Sequence, residues 1–339
     1  MDLGRCLSRP GQFFAGAEYI YARSCFSEAF AYLINDASTP PPGGQQYVEY
    51  DFDYRSSYRF YGGYRFCDCC AEIVFDFARY RSEADFNVSD DIFGGTVSQE
   101  VILGPYEINA PDGGFLQGDL DVDIQSYGLG IARSIPLGSP LCASSCGCGD
   151  TCCDTCCDDC CDDCCCWCPA WDITWYAGVR YADVGWSRGQ TGFFGNGNVD
   201  ATSATQLDFD GVGARIGLLG RRYIGRRGFA SIYAKGDISL LVGDVDISTF
   251  RQEVDNGDPL VRVHENSACR MIPVTEIEAG LSGHIGCHVT VSSGYFLSAW
   301  HDLGIRDTYD FGGNFQLNHY DDANILGFHG LFARAEVAY

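Results

Sequence analysis

Thirteen of the chain's 20 cysteines fall between Cys142 and Cys168, in the run CASSCGCGDTCCDTCCDDCCDDCCCWC. Pairs recur every four residues at Cys152/Cys153, Cys156/Cys157, Cys160/Cys161 and Cys164/Cys165, with aspartates between them. Three chemistries are open to such a tract. Thiolates at C-x-C and C-x-x-C spacing suit soft cations such as Zn2+ or Cu+, but no histidine pair accompanies them, and an oxidising compartment draws thiols into disulfides. Adjacent cysteines bridge each other poorly, because a disulfide wants its Cα atoms roughly 4.4–6.8 Å apart with suitably directed side chains. Bonds to other pairs or other molecules form more easily, and Cys67, Cys69 and Cys70 in an early turn are candidates to join them. The bland reading is a tolerated low-complexity expansion, its period far below that of a fold-bearing repeat. Crosslinking and the bland reading stand level, ahead of metal, so no metal site or cofactor is expected.

A second chemistry is ionic. The formal net charge is -24, from 46 Asp plus Glu against 22 Lys plus Arg. That excess excludes the basic footprint nucleic acid requires. Lys235 is the one lysine, a bias without a physical account. A third chemistry, hydrolysis, has residues of the right type in Ser282, His284, His288 and Ser292. No nucleophile-elbow motif surrounds them, and polar wall residues are the simpler role, so no enzyme is expected. The turn-rich Gly192–Gly197 is no phosphate cradle, since no Lys-Ser/Thr follows it.

The elements that must position these groups read as strands. In Val48–Phe66, VEYDFDYRSSYRFYGGYRF, the even positions are almost all aromatic or apolar and the odd ones carry the charge. Side chains alternate across a strand, so one face is greasy and the other wet. Nineteen residues exceed the roughly 3–10 of an ordinary strand and suit a barrel with lipid outside and water inside. Trp171, Ile173, Trp175, Ala177, Val179 and Tyr181 alternate the same way against Asp172, Thr174, Tyr176, Gly178 and Arg180. Ten steps of about 3.3 Å, tilted by roughly 40°, separate Trp171 from Tyr181 by about 25 Å, the height of a lipid band between aromatic girdles.

Similar alternation marks Gln12–Tyr21, Ala71–Tyr80, Asp119–Ile124 (blurring beyond Ser126), Thr205–Ile224, Phe229–Leu240, Thr275–Ile285, Val289–Leu297 and Gly330–Tyr339. The expected fold is all-β: one antiparallel transmembrane barrel over residues 1–339, of about ten strands and within a range of roughly eight to twelve. Residues 138–170 form a Cys/Asp-rich insertion in it. Long connections are expected at 24–46, 87–118, 188–203, 244–273 and 301–322, with mostly short turns at the other end. No window approaches the 18 apolar residues of a membrane helix, and the mean hydropathy of -0.08 is what alternate lipid contact implies. Export requires a leader, yet Met1–Arg5 opens onto no apolar segment; the reading favours a start internal to a longer frame.

The aromatic end in an alternating last strand, the YVEYDFDYRSSYRFYGGYRF block and the GAEYIYAR strand together resemble the Legionella-type major outer membrane protein family. The resemblance covers most of the chain outside the cysteine segment; the chain departs from it in having no signal peptide and in ending on Tyr rather than Phe. It implies a pore-forming outer-membrane barrel. On that reading the expected lumen is lined by Glu49, Asp51, Asp53, Arg55, Arg59, Arg65, Asp119, Asp121, Asp123, Arg180, Lys235, Glu276, Glu278, Arg334 and Glu336. Inward charges tune selectivity, so a narrow, weakly cation-selective diffusion pore is expected. The alternative is a structural envelope barrel, crosslinked through its cysteines, whose charges pair and close the lumen. The expected partners are outer-membrane lipid, the barrel-assembly machinery and disulfide-linked envelope proteins.

Overall fold

A computed structural model describes residues 11–26, 29–36, 44–66, 71–89, 96–100, 107–109, 113–137, 170–224, 229–253, 261–285, 288–303 and 325–339. The cysteines expected to crosslink lie outside the described residues: Cys67, Cys69 and Cys70 in the early turn, and Cys152, Cys153, Cys156, Cys157, Cys160, Cys161, Cys164 and Cys165 in the tract. So do all of residues 138–169. The described strands are β1 (Gln12–Phe26), β2 (Phe30–Asp36), β3 (Gly44–Glu49), β4 (Arg55–Phe66), β5 (Ala71–Ser89), β6 (Thr96–Glu100), β7 (Glu107–Asn109), β8 (Phe115–Leu137), β9 (Trp171–Phe193), β10 (Val199–Ile224), β11 (Ala230–Glu253), β12 (Val261–Ile285), β13 (Val289–His301) and β14 (Ile325–Ala338).

Ten of them close an antiparallel barrel in the order β1-β14-β13-β12-β11-β10-β9-β8-β5-β4. The ends of the chain complete the seal: Phe13 N–H donates to the Tyr339 carbonyl at 3.0 Å, and Tyr339 N–H to that of Phe13 at 2.9 Å. Closure leaves no sheet edge in lipid, where an unpaired backbone group is costly. The four remaining strands form a separate sheet, β3-β2-β6-β7, in connections at the end away from the termini.

Barring a bulge near the far end of β10 and another in β12, each strand keeps one parity inward, while the character of that parity changes. On β8 the even residues face in: Leu120, Val122, Ile124 and Ser126 are buried. The odd ones face out, as Asp119, Asp121, Gln125, Tyr127, Leu129 and Ile131 in turn. The blur beyond Ser126 is therefore a swap. On the terminal side of Tyr127 the outer face is apolar; beyond it the outer face is acidic and the inner face apolar. Strand β9 swaps at Tyr181, with Val179 exposed below it and Asp183 above, and β10 at Val212, with Ile216 and Leu218 below and Asp208 and Asp210 above.

The barrel thus crosses the lipid band near its termini and continues beyond it. Strands β8 to β12 are 23 to 26 residues long, roughly 60 Å at the usual rise and tilt, against a band of about 25 Å. This corrects two expected loops. Residues 188–203 are mostly β9 and β10, joined at a hairpin where Phe194 N–H bonds the Asn198 carbonyl at 2.9 Å and Gly197 takes a positive φ of 83°. Most of 244–273 is likewise strand, in β11 and β12. The polar, glycine-rich composition that reads as loop is that of a strand wet on its outside.

The opening stretch is also divided. Gly44–Glu49 is β3 of the outer sheet, residues 50–54 belong to no strand, and β4 begins at Arg55. Tyr50 and Phe52 are buried, whereas Tyr58 and Phe60 face out, so the aromatic parity slips by one residue between them. The swap fixes where lipid contact ends, and it is testable. Ile216→Arg, at a side chain 62% exposed in the middle of the belt, is expected to cost about 2–4 kcal/mol of folding stability in lipid. Asp208→Arg, two turns of the pleat above the belt, is expected to cost close to nothing. Urea unfolding of both variants in vesicles checks it.

Candidate functional site: a charged plug in the lumen

Inside the lipid-crossing part, inward polar side chains meet one another. Glu276 on β12 accepts from Arg180 on β9 at 2.7 Å and lies 3.5 Å from Arg215 on β10 and 3.9 Å from Arg59 on β4. Tyr80 on β5 accepts from Arg59 at 2.8 Å and donates to Glu276 at 3.3 Å. Glu278, one pleat nearer the termini, takes Arg334 at 2.6 Å, holds Arg59 by a short contact, and has Lys235 at 3.9 Å. Glu18 on β1 joins Arg334 at 2.5 Å and Arg59 at 3.3 Å. On the far wall Arg215 bridges Asp76 at 2.9 Å and Asp237 at 3.1 Å, and Lys235 completes the circuit to Asp237 at 2.8 Å.

Five carboxylates (Glu18, Asp76, Asp237, Glu276, Glu278) thus interlock with five cations (Arg59, Arg180, Arg215, Lys235, Arg334) across eight strands. The cluster is neutral, and its centre is dry: Arg180 is 1% exposed and Glu276 2%. Two glycines make it fit. A Cβ at Gly128 would collide with the Asp76 carboxylate, and one at Gly217 with that of Asp237. Ring faces flank the cations, Tyr176 lying 5.0 Å from the Arg215 guanidinium and Phe296 5.4 Å from that of Arg59.

Towards the termini the lumen is wetter. Lys235 and Arg334 keep 25% and 17% of their side chains exposed. Arg65 holds Glu72 at 2.6 Å, and Tyr61 donates to Glu336 at 3.0 Å. In the other direction the filling turns apolar. Tyr80 stacks on Phe296 at 5.5 Å, and Ile20, Val122, Val184, Phe209, Val274, Trp300 and Phe328 lie buried beyond it.

Of the residues expected to line a lumen, Arg59, Arg65, Arg180, Lys235, Glu276, Glu278, Arg334 and Glu336 face inward and belong to this arrangement. The other seven do not. Glu49, Asp51, Asp53, Arg55, Asp119 and Asp121 are on the outside, as is Asp123, where it meets Arg79 at 2.9 Å and Arg81 at 3.2 Å. They sit beyond the girdle, where water lies outside the wall and the polar parity is the outer one. Glu18, Asp76, Arg215 and Asp237 escaped selection. The alternation that places Glu18 opposite Tyr19, or Asp76 opposite Phe75, was the signal for three of them; Arg215 sits in the least regular of the patterned stretches.

The serine and histidine candidates are parts of the wall. His284 lies 3.3 Å from Ser231 and 3.1 Å from Thr290, Ser282 bonds Ser292 at 2.8 Å, and His288 meets the Ala338 carbonyl at 3.0 Å. Among the described residues no group of three or more metal-ligating side chains converges. The paired cysteines from Cys152/Cys153 through Cys156/Cys157 and Cys160/Cys161 to Cys164/Cys165, together with Cys67, Cys69 and Cys70, lie outside those residues.

The plug is sensitive to loss of any one member. Glu276→Gln leaves Arg180 and Arg215 buried with a partner lost, and breaking a buried pair from one side costs about 3–5 kcal/mol. Asp121→Asn on the outer wall is expected to change stability by less than about 0.5 kcal/mol. Denaturant midpoints of the two variants provide the comparison.

No curated protein matches the sequence. Among solved structures, the outer-membrane protease OmpT of Escherichia coli aligns at 11% identity over 98% of this chain and 99% of its own, with a TM-score of 0.39. A FadL homologue from Pseudomonas aeruginosa aligns at 8% identity over 99% and 91%, with a TM-score of 0.24. Neither likeness speaks for activity. Residues 169–337, which run from just before β9 into β14 and hold seven of the ten plug residues, match the family described as Legionella pneumophila major outer membrane protein precursor, and on that match this chain belongs to that family of bacterial outer-membrane barrels.

Proposed function

We propose that this chain is a closed outer-membrane barrel, a structural component of the envelope, rather than a permanently open diffusion pore. What supports the reading is the burial of Glu276 and its arginine partners across the middle of the lumen. A water-filled channel leaves its lining charges wet, because desolvating an ion costs several kcal/mol. Here the charges are matched to each other, and an apolar filling follows them. In a structural role the crosslinking tract between β8 and β9 ties the barrel to neighbours on the side of its termini, where outer-membrane barrels keep their periplasmic turns.

A weakly cation-selective pore is the second reading, and one observation favours it. The plug consists of side chains alone, and water already reaches Lys235 and Arg334 from the terminal end. Conductance of the refolded protein in planar bilayers, with an unheated gel lane to verify folding, decides between them. The closed reading expects a silent membrane from folded wild-type protein. Discrete steps with a reversal potential favouring cations overturn it in favour of the pore.

A further inference from the structure

Between β1 and β5 the barrel wall has an irregular seam. The β5–β8 ladder runs to Ser89 opposite Phe115, and β1–β14 runs to Phe26 opposite Leu326. Between them, the β4–β5 ladder ends at Tyr58 opposite Arg79, and the β1–β4 ladder at Ala22 opposite Arg55. Beyond that level the wall is completed by residues 50–54, which belong to no strand. Tyr50 N–H is anchored on the Ala29 carbonyl at 3.1 Å. Tyr50 and Phe52 point into the lumen and are 6% and 4% exposed.

Beyond the Tyr50–Ala29 bond, no backbone ladder joins this segment to its neighbours among the described residues. Arg23 meets Asp51 at 2.7 Å and Arg55 meets Glu83, both pairs on the outer surface. At the near end of the seam β5 is held to β4, where Arg81 N–H reaches the Ser57 hydroxyl at 3.3 Å, and directly to β1, where Ser24 and Ser82 touch at 2.6 Å on the inside. Exposed ion pairs hold weakly, so this segment is held less firmly than a laddered strand.

Behind it lies the apolar half of the lumen. Tyr50 packs against Phe86 at 5.6 Å. Deeper in, a cavity of about 10 Å3 is lined by Phe26, Val184, Trp186, Leu207, Leu303 and Leu326. Trp186 is 7% exposed, and its indole N–H has no partner among the described residues. A cavity of that size admits no more than one water, so a larger guest needs side chains to leave.

We propose that residues 50–54 form a hatch in the side wall, and that the distal lumen binds a small apolar, ring-bearing molecule in place of the Tyr50 and Phe52 rings. The occupant's class follows from what fills the space now: two aromatic rings of the chain itself, against a mainly aliphatic and aromatic lining in which the buried Arg188 guanidinium lies 6.0 Å from the Tyr50 ring. Trp300 carries a second indole N–H with no partner among the described residues, and the free donor on the cavity is Trp186. A guest bearing a hydrogen-bond acceptor gains that donor. The seam begins at the level of the girdle residue Tyr58, where apolar molecules partition at the membrane surface. The inference is independent of whether the lumen conducts ions.

The test uses the full chain refolded into nanodiscs, with 4-fluoroanisole and fluorobenzene as probes followed by 19F NMR against empty nanodiscs. Saturable binding to wild type is expected, at least tenfold tighter in the double variant Tyr50→Ala/Phe52→Ala. Trp186→Phe is expected to weaken 4-fluoroanisole severalfold and leave fluorobenzene unchanged. A signal no different from empty nanodiscs, or a double variant that folds without tightening, overturns the proposal. Should the double variant fail to fold, hydrogen exchange of wild type decides: amides of 50–57 are expected to exchange faster than those of β9 and β10 and to change rate at saturating probe. Protection unaffected by the probe overturns it.

Discussion

A regular β-strand cannot turn its side chains about its axis: without a bulge, a parity that faces the lumen does so all along. The medium outside this barrel nevertheless changes from lipid to water partway along. Both faces must therefore exchange character at one level, and the positions of Tyr127, Tyr181 and Val212 mark it. Below that level the apolar surface faces lipid, and the interior is left with whatever polar side chains the other parity carries. Above it, water wets an acidic outer wall and the apolar side chains fold inward into a core of the ordinary kind. The architecture is two barrels in series on continuous strands, inside-out relative to each other.

The polar half has the harder packing problem. Ten strands enclose a space close to the size that side chains alone can fill, and charged side chains placed there lose water. Pairing offsets that loss only when geometry is good and every charge is matched. Here five acids meet five bases, drawn from β1, β4, β5, β9, β10, β11, β12 and β14. Buried ion pairs are weak sources of net stability compared with apolar packing, but they are demanding about register. A shift of one residue in any contributing strand would bury an unpaired charge. Gly128 and Gly217 show how closely the wall is fitted around Asp76 and Asp237.

The outer wall shows the complementary cost. Asp210 lies directly opposite Asp183 on one side and Asp244 on the other, and Asp208 opposite Asp246. Like charges across a ladder are destabilising, and screening by salt moderates them only because they stand in water. Such a row could not exist one pleat lower, in the lipid band. The acid of the described outer wall thus stands where it destabilises least, while the lumenal plug contributes nothing to the chain's net charge of -24.

Alternation alone determined much of this protein. Gln12–Tyr21, Ala71–Tyr80 and Trp171–Tyr181 read as lipid-facing strands because period-2 patterning maps directly onto two faces, and their aromatic ends marked the height of the belt. The antiparallel closure, the count of ten and the inward position of Arg59, Glu276 and Glu278 followed from the same pattern. Which side of a patterned strand is the lumen is not in the pattern. Asp119, Asp121 and Asp123 alternate as cleanly as Glu276 and Glu278, yet stand outside, because only depth relative to the lipid says which parity holds water. The slip between Phe52 and Tyr58 is nearly silent in sequence, where Ser56 alone breaks the alternation of Phe52, Tyr54 and Tyr58. The plug itself belongs to tertiary structure. Arg59 and Glu278 are separated by 219 positions, and Arg215 and Asp76 by 139; only closure of the barrel brings such pairs within reach of one another.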